Sequence, residues 1–262
     1  MLHFPDIDPV LIRIGDLAIR WYAVTHVAGF AVTWWLGWIR LKRPESRWTH
    51  AEFVDLLFFV IVGILLGGRW GFLLFYEPSS VLADPLALVR IWEPGLSFHG
   101  GLLGALLGGW LFVGMTGRGF LDAADFLCPL APIGLGLGRI GNFVNGELWG
   151  RPTDLPWGMV FPHVDSQPRH PSMLYESLLE GPVLFAILWM YSARRRPPGA
   201  VLAMFLLWYG LFRFAVEFVR EPDAHLGFVA WGWVTMGHAL TLPMIVVGLA
   251  MLAWAYQSTQ AT

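Results

Sequence analysis

Residues 134–151 read GLGLGRIGNFVNGELWGR, and two readings of this stretch lead to different folds. Gly136, Gly138 and Gly141 have the G-x-G-x-x-G spacing of a dinucleotide-binding turn, which would make the chain a doubly wound α/β protein. Such a turn needs a strand before the glycines, a helix after them and an acid about twenty residues further on. Here a long apolar run precedes them, with no alternation of strand and helix patterns around it. The nucleotide reading is therefore set aside. The glycines are expected instead to thin and end a membrane helix, leaving backbone free beside a polar site that contains Arg139.

Composition supports a membrane fold. The chain has 262 residues, 56% of them hydrophobic and 14% charged, with a mean hydropathy of +0.58. A soluble domain carries roughly a quarter charged residues. Apolar runs of about twenty residues recur, each long enough to cross ~30 Å of hydrocarbon. The pattern predicts an all-α polytopic membrane protein forming a single integral membrane domain over residues 1–262. Seven transmembrane helices are expected near 21–40, 53–76, 96–116, 122–140, 172–192, 200–219 and 234–256.

Arg40, Lys42, Arg43 and Arg47 follow the first span, Arg118 the third, and Arg194, Arg195 and Arg196 the fifth. The opposite loops carry mixed or acidic charge, with Glu77, Asp84, Arg90 and Glu93 after the second span and Glu221 and Asp223 after the sixth. Positive loops stay in the cytoplasm, which places the N-terminus outside, the C-terminus inside and the long loop at about 141–171 on the outer side. The first twenty residues have no basic stretch leading into an apolar core, so they are read as an amphipathic segment at the membrane surface. A net charge of −2 gives no sign of a nucleic-acid partner. The single cysteine, Cys128, excludes an intramolecular disulfide and a cysteine-based metal site. With the histidines scattered, no metal is expected.

Arginines inside apolar spans call for an explanation, because each costs about 2.5–3.5 kcal/mol at a span centre even on gentle insertion scales. Arg213 has Glu217 one turn along in YGLFRFAVEFVR, the spacing of an ion pair. Arg69 is expected to snorkel toward the head groups. Arg139 has no acid within its own span, and its guanidinium suits two parallel bonds to a phosphate. His99, in GLSFHGG at the outer start of the third span, is the candidate general base. Ser97 lacks the G-x-S-x-G elbow of a hydrolase. Ser172, in RHPSMLYESLLEG, is expected to cap the fifth span, with Tyr175 and Glu176 facing inward. Small residues at every fourth position, Gly63, Gly67 and Gly71 and then Gly100, Gly104 and Gly108, suit close packing of helix backbones. The outer ends of spans three to six thus converge on a polar and net cationic set: His99, Arg139, Asn142, Asn145, Glu147, Glu176, Arg213, Glu217 and Arg220. Such a set suits an anionic phospholipid head group.

At these motifs the chain closely resembles the bacterial prolipoprotein diacylglyceryl transferase family. GRIGNFVNGELWGR at 138–151 matches the family hallmark, and RWY, SFHGG, RHPSMLYE, YGLFRFAVEFVREPD and MGHALTLPMIVVG fall in the family order. Met173 and His238 stand where glutamine is common in the family, and Ala23 where glycine is frequent. The resemblance implies transfer of the diacylglyceryl group of phosphatidylglycerol to the lipobox cysteine of a preprolipoprotein, in the bacterial inner membrane with the site toward the outer leaflet. It implies no cofactor. It adds Tyr22, Gly150 and Tyr209 to the site as substrate-binding residues beside Asn142, Asn145, Glu147, Glu176, Glu217 and Arg220, with His99, Arg139 and Arg213 catalytic. An anion transporter or flippase would also place arginines in the membrane, but it predicts a repeat symmetry that the sequence does not show. An intramembrane protease would need a nucleophile elbow.

Overall fold

The computed structural model describes residues 2–15, 17–93, 95–222 and 226–260. Asp223, noted above in an acidic loop, lies outside them. The chain forms two compact units, Met1–Leu36 with Asp125–Thr262, and Gly37–Ala124.

In the second unit, α2 (His50–Tyr76) is followed by the short α3 (Pro78–Ala83) and then by α4 (Phe98–Thr116). A capping box opens α2: the Glu52 amide donates to Thr49 Oγ1 at 3.3 Å, and the Thr49 amide donates to Glu52 Oε2 at 2.8 Å. The two glycine stripes meet face to face. A Cβ added at Gly104 would overlap the Gly63 carbonyl oxygen, and one at Gly100 would overlap that of Gly67. A Cβ at Gly71 would stand 2.8 Å from the Gly100 Cα, so the backbones touch with no side chain between them. The outer face of α4 carries Leu103 and Trp110, 66% and 64% exposed. Glycine inside and large apolar groups outside is the arrangement of a lipid-facing helix. Arg69 departs from the snorkelling expectation. It is buried, donates to the Ala87 carbonyl at 3.0 Å and pairs with Glu93 at 2.5 Å. Satisfying the guanidinium locally replaces the need to reach water.

The other unit is not wholly helical. β1 (Leu2–His3) pairs in parallel with β4 (Met159–Val160), and β4 pairs antiparallel with β5 (Pro168–Arg169). β2 (Val10–Ile14) and β3 (Leu17–Arg20) form an antiparallel hairpin leading into α1 (Trp21–Leu41). The amphipathic N-terminal segment is thus extended rather than helical. Phe161 and Met173 are fully buried in a cluster with Met159 of β4, with Phe4, Phe143 and Trp149 packed around them.

The span expected at 122–140 is two helices, α5 (Phe120–Leu127) and α6 (Ala131–Val144), bent by 54°. Pro129 lies at the bend. The glycines therefore do not end the helix, which runs through them to Val144. They let it be approached from two sides instead. A Cβ at Gly136 would stand 2.9 Å from both the Gly181 Cα and the Ser177 carbonyl, and one at Gly141 would stand 2.7 Å from Thr25 Oγ1. The next span joins α7 (Ser172–Leu178), a π turn at Leu179–Val183 and α8 (Leu184–Tyr191). It is followed by α9 (Ala200–Glu217) and α10 (Met236–Gln260). The Asp125 carboxylate caps α9 by accepting from the amides of Gly199 at 2.7 Å and Leu202 at 2.8 Å.

Among the described residues, five helices are long and apolar enough to cross a membrane, and six if the bent pair counts as one span. α1 has 21 residues but falls outside that apolar set.

Candidate active site

Three helices of the first unit bring their charged residues to one place. α6 carries Arg139, α7 and the π turn carry Glu176 and Glu180, and α9 carries Tyr209, Arg213 and Glu217 at successive i+4 positions. Arg139 Nε lies 2.9 Å from Glu176 Oε2 and 3.3 Å from Glu180 Oε2. Arg213 Nη1 lies 3.3 Å from Glu176 Oε1 and also meets Glu217 Oε2, so the i+4 pair read from the sequence is present. Arg220 Nη1 approaches the same Glu217 oxygen at 3.8 Å. Glu176 is the bridge between the two central arginines. Tyr209 stands in the electrostatic field of Arg139, Arg213, Glu176 and Glu180.

Glu180 was not singled out in the sequence, although an acid one turn after Glu176 inside an apolar span was the available signal. Its presence changes the charge of the set. Three guanidiniums face three buried carboxylates, with Glu147 a further acid, so the cluster is not net cationic by count. Exposure separates the two signs at the centre of the cluster. The side chains of Glu176, Glu180 and Glu217 are only 1–4% exposed, whereas those of Arg139 and Arg213 keep 22% and 11%. These three acids are sealed behind the arginines, whereas Glu147 is exposed. Burying these ions costs several kcal/mol each unless they are paired, so the carboxylates serve to hold the arginines in place.

A second polar wall follows α6. Glu147 accepts from Asn142 Nδ2 and Asn145 Nδ2, each at 3.1 Å. Tyr22, on the first turn of α1, stands in the field of both Glu147 and Arg139 and packs its ring 4.4 Å from that of His26. Gly150 has a structural reason to lack a side chain, because a Cβ there would stand 2.5 Å from the Val219 carbonyl oxygen and 2.6 Å from the His170 Cβ. Its amide donates to the His170 carbonyl at 2.8 Å, and the Arg151 amide donates to that of Val219 at 2.8 Å, tying the loop to the end of α9.

Two expectations are corrected here. Ser172 does not cap its helix. Pro171 occupies that position, and the Ser172 hydroxyl donates to the Leu148 carbonyl at 2.7 Å, satisfying a loop group that Leu148, at φ 61°, turns inward. Tyr175 is half-buried and accepts from Trp157 Nε1 at 2.8 Å, while Glu176 does face inward. His99 lies on the first turn of α4, exposed and edge-on to Phe98, in the unit Gly37–Ala124. The other site residues belong to the first unit.

The loop is pinned by Arg169, which pairs with Asp165 at 2.6 Å and with Glu221 at 3.1 Å. Its guanidinium holds the Asp165 carboxyl below the usual carboxylate range. A depressed folded-state value stabilises above the unfolded pKa of about 3.9, and that contribution is lost as pH falls through the folded value. Amide protection over residues 150–170, corrected for intrinsic exchange, is therefore expected to fall on acidification below about pH 4, and Arg169→Ala to remove that component. A protection profile that Arg169→Ala leaves unchanged would refute the pin.

Fold and site together define a helical membrane protein with arginines buttressed by buried carboxylates. The family model described as prolipoprotein diacylglyceryl transferase matches residues 9–254. Phosphatidylglycerol–prolipoprotein diacylglyceryl transferases are similar throughout. The Coxiella burnetii protein is 51% identical over 257 residues, covering 98% of both chains. That of Azotobacter vinelandii is 53% identical over 258 residues, covering 98% of this chain and 97% of its own. That of Solidesulfovibrio magneticus is 54% identical over 255 residues, covering 97% and 96%. The chain belongs to the prolipoprotein diacylglyceryl transferase family and is a transferase.

Proposed function

We infer that this chain transfers the diacylglyceryl group of phosphatidylglycerol to the lipobox cysteine of a preprolipoprotein, the first step of bacterial lipoprotein maturation. The cysteine sulfur attacks the glyceryl carbon and forms a thioether. The carbon–oxygen bond to phosphate breaks, and glycerol phosphate leaves with the electron pair. The observation that carries this reading is the pair Arg139 and Arg213, held from behind by Glu176 and open on the other side. Their guanidiniums bind the phosphate and stabilise the charge that builds on it as the bond breaks, the preorganised electrostatics that contributes most to such steps. Tyr22, Asn142, Asn145, Glu147 and Tyr209 complete the substrate-binding wall.

In this proposal the protein is a single domain of the bacterial inner membrane with seven spans, α1 and the bent pair among them. The N-terminus lies outside, and the site faces the outer leaflet. Purified protein incubated with phosphatidylglycerol and a lipobox peptide should yield a thioether-linked diacylglyceryl peptide. Folded protein that gives none refutes the function.

A free thiol with a pKa near ~8.5 is mostly protonated at neutral pH, so a base is needed, and we assign that role to His99. Losing a general base typically costs about 10²–10⁴-fold. His99→Gln is expected to lower the rate at pH 7 by at least about a hundredfold, with partial recovery toward pH 9 as the thiolate forms unaided. Near-normal turnover at neutral pH would remove His99 from the role.

A further inference from the structure

The entry to α10 carries buried polar groups that the proposed chemistry does not use. Thr235 precedes the helix, and the backbone N–H of His238 donates to its hydroxyl oxygen at 3.4 Å. In return the Thr235 amide donates to His238 Nδ1 at 3.2 Å. This is the reciprocal bonding of a capping box, with histidine at the position usually held by glutamate or glutamine. A capping box ordinarily sits at the surface and serves only its own helix. This one is buried, with Thr235 and His238 each 2% exposed.

Its hydroxyl has a second task. Thr235 Oγ1 donates to Glu217 Oε1 at 2.6 Å, and the other oxygen of that carboxylate is the one that holds Arg213. Gly237, in the first turn of α10, closes the arrangement from another side. A Cβ there would stand 2.5 Å from Glu217 Oε1 and 2.6 Å from Oε2, so only glycine leaves room for the carboxylate. The imidazole cannot drift, because the rings of Phe218, Phe214 and Trp233 surround it at 4.6, 4.7 and 5.5 Å. With Nδ1 accepting a backbone N–H, the ring proton belongs on Nε2, and the hydroxyl hydrogen of Thr235 is left for Glu217.

We propose that Thr235, Gly237 and His238 form a positioning device: the α10 capping box orients Glu217 and, through it, the guanidinium of Arg213. The inference rests on the reading that Arg213 meets the substrate phosphate. None of the three touches substrate. They act by fixing one carboxylate in the orientation that aims the arginine, a second layer of support behind a charged group. Histidine performs here what glutamine would, since either side chain accepts the Thr235 N–H.

The test measures kcat and the KM values for phosphatidylglycerol and for a lipobox peptide with the full chain, alongside the thermal midpoint. Thr235→Val removes the donor to Glu217 and is expected to lower kcat at least tenfold, with KM for the peptide unchanged. Thr235→Ser restores the hydroxyl and should recover most of the rate. His238→Gln should stay within threefold of the parent, whereas His238→Leu should fall with Thr235→Val. A Thr235→Val protein with the parent kcat, or a Thr235→Ser protein as impaired as Thr235→Val, overturns the proposal. If Thr235→Val does not fold, Gly237→Ala decides. It adds one methyl against the carboxylate in a helix that otherwise favours alanine, and an unchanged rate overturns the proposal while a tenfold loss supports it. A parent chain that forms no adduct overturns the functional reading and this inference together. A parent that turns over beside an unaffected Thr235→Val overturns the device alone.

Discussion

Arg139→Lys is expected to lower diacylglyceryl transfer by at least about a hundredfold while the protein still inserts and keeps its helices, the loss typical of removing one preorganised donor. The choice of lysine follows from what stands behind the arginine. Glu176 and Glu180 are fully buried, and Arg139 lies against both. Arg139→Ala leaves carboxylates without that cation, and breaking a buried pair costs about 3–5 kcal/mol in its own right. Its lost activity would therefore mix chemistry with unfolding. Lysine keeps the charge beside Glu176 and Glu180 but gives up the planar fork that offers a phosphate two parallel donors. Steady-state rates on phosphatidylglycerol, with the thermal midpoint measured on the same preparation, separate the two effects. Parent-like rates from Arg139→Lys would show that a point charge suffices and that the fork is not used.

Gly104→Val should be the most damaging single change in the unit Gly37–Ala124, preventing accumulation of folded protein or lowering its thermal midpoint sharply. The Cβ would overlap the Gly63 carbonyl oxygen, a backbone atom that cannot rotate away, so α2 and α4 must separate. Overpacking ordinarily costs about 1–3 kcal/mol, and more where no side chain can yield. Gly114 on the same helix is the control. A Cβ there meets nothing within 4 Å, so Gly114→Ala should be neutral or slightly stabilising. Equal midpoints for Gly104→Val and Gly114→Ala would refute the backbone contact.

Those stripes were legible because small residues every fourth position leave a direct trace in the chain, as does the i+4 pair of Arg213 and Glu217. The apolar runs likewise locate α2, α4, α9 and α10 to within a few residues, since helix and bilayer impose the same length scale. Other features leave no local trace. Arg69 meets Glu93 24 residues on, beyond α3, and Arg139 meets Glu180 41 residues on, so neither pair has a spacing to read. The glycines read as a helix end because glycine both breaks helices and permits close packing, while the break itself falls at 128–130. Only the neighbours, Gly181 at Gly136 and Thr25 at Gly141, decide between those uses. Strands of two residues such as β1 and β4 are too short to show alternation, and their partners lie more than 150 residues apart in the chain.

That parallel pairing also constrains how the chain threads the bilayer. Leu2 and His3 can bond to Met159 and Val160 only if both segments lie on the same side, so the chain between them must cross an even number of times. The bridge from Gly150 to Arg220 sets the same condition for the stretch between those residues. α7 with α8, and then α9, satisfy the second condition with two crossings. For the first, α2, α4 and the bent pair would make three, an odd number. Parity holds when α1 and the bent pair both cross or when neither does, so the pairing ties the two together: α1 spans if the bent pair spans.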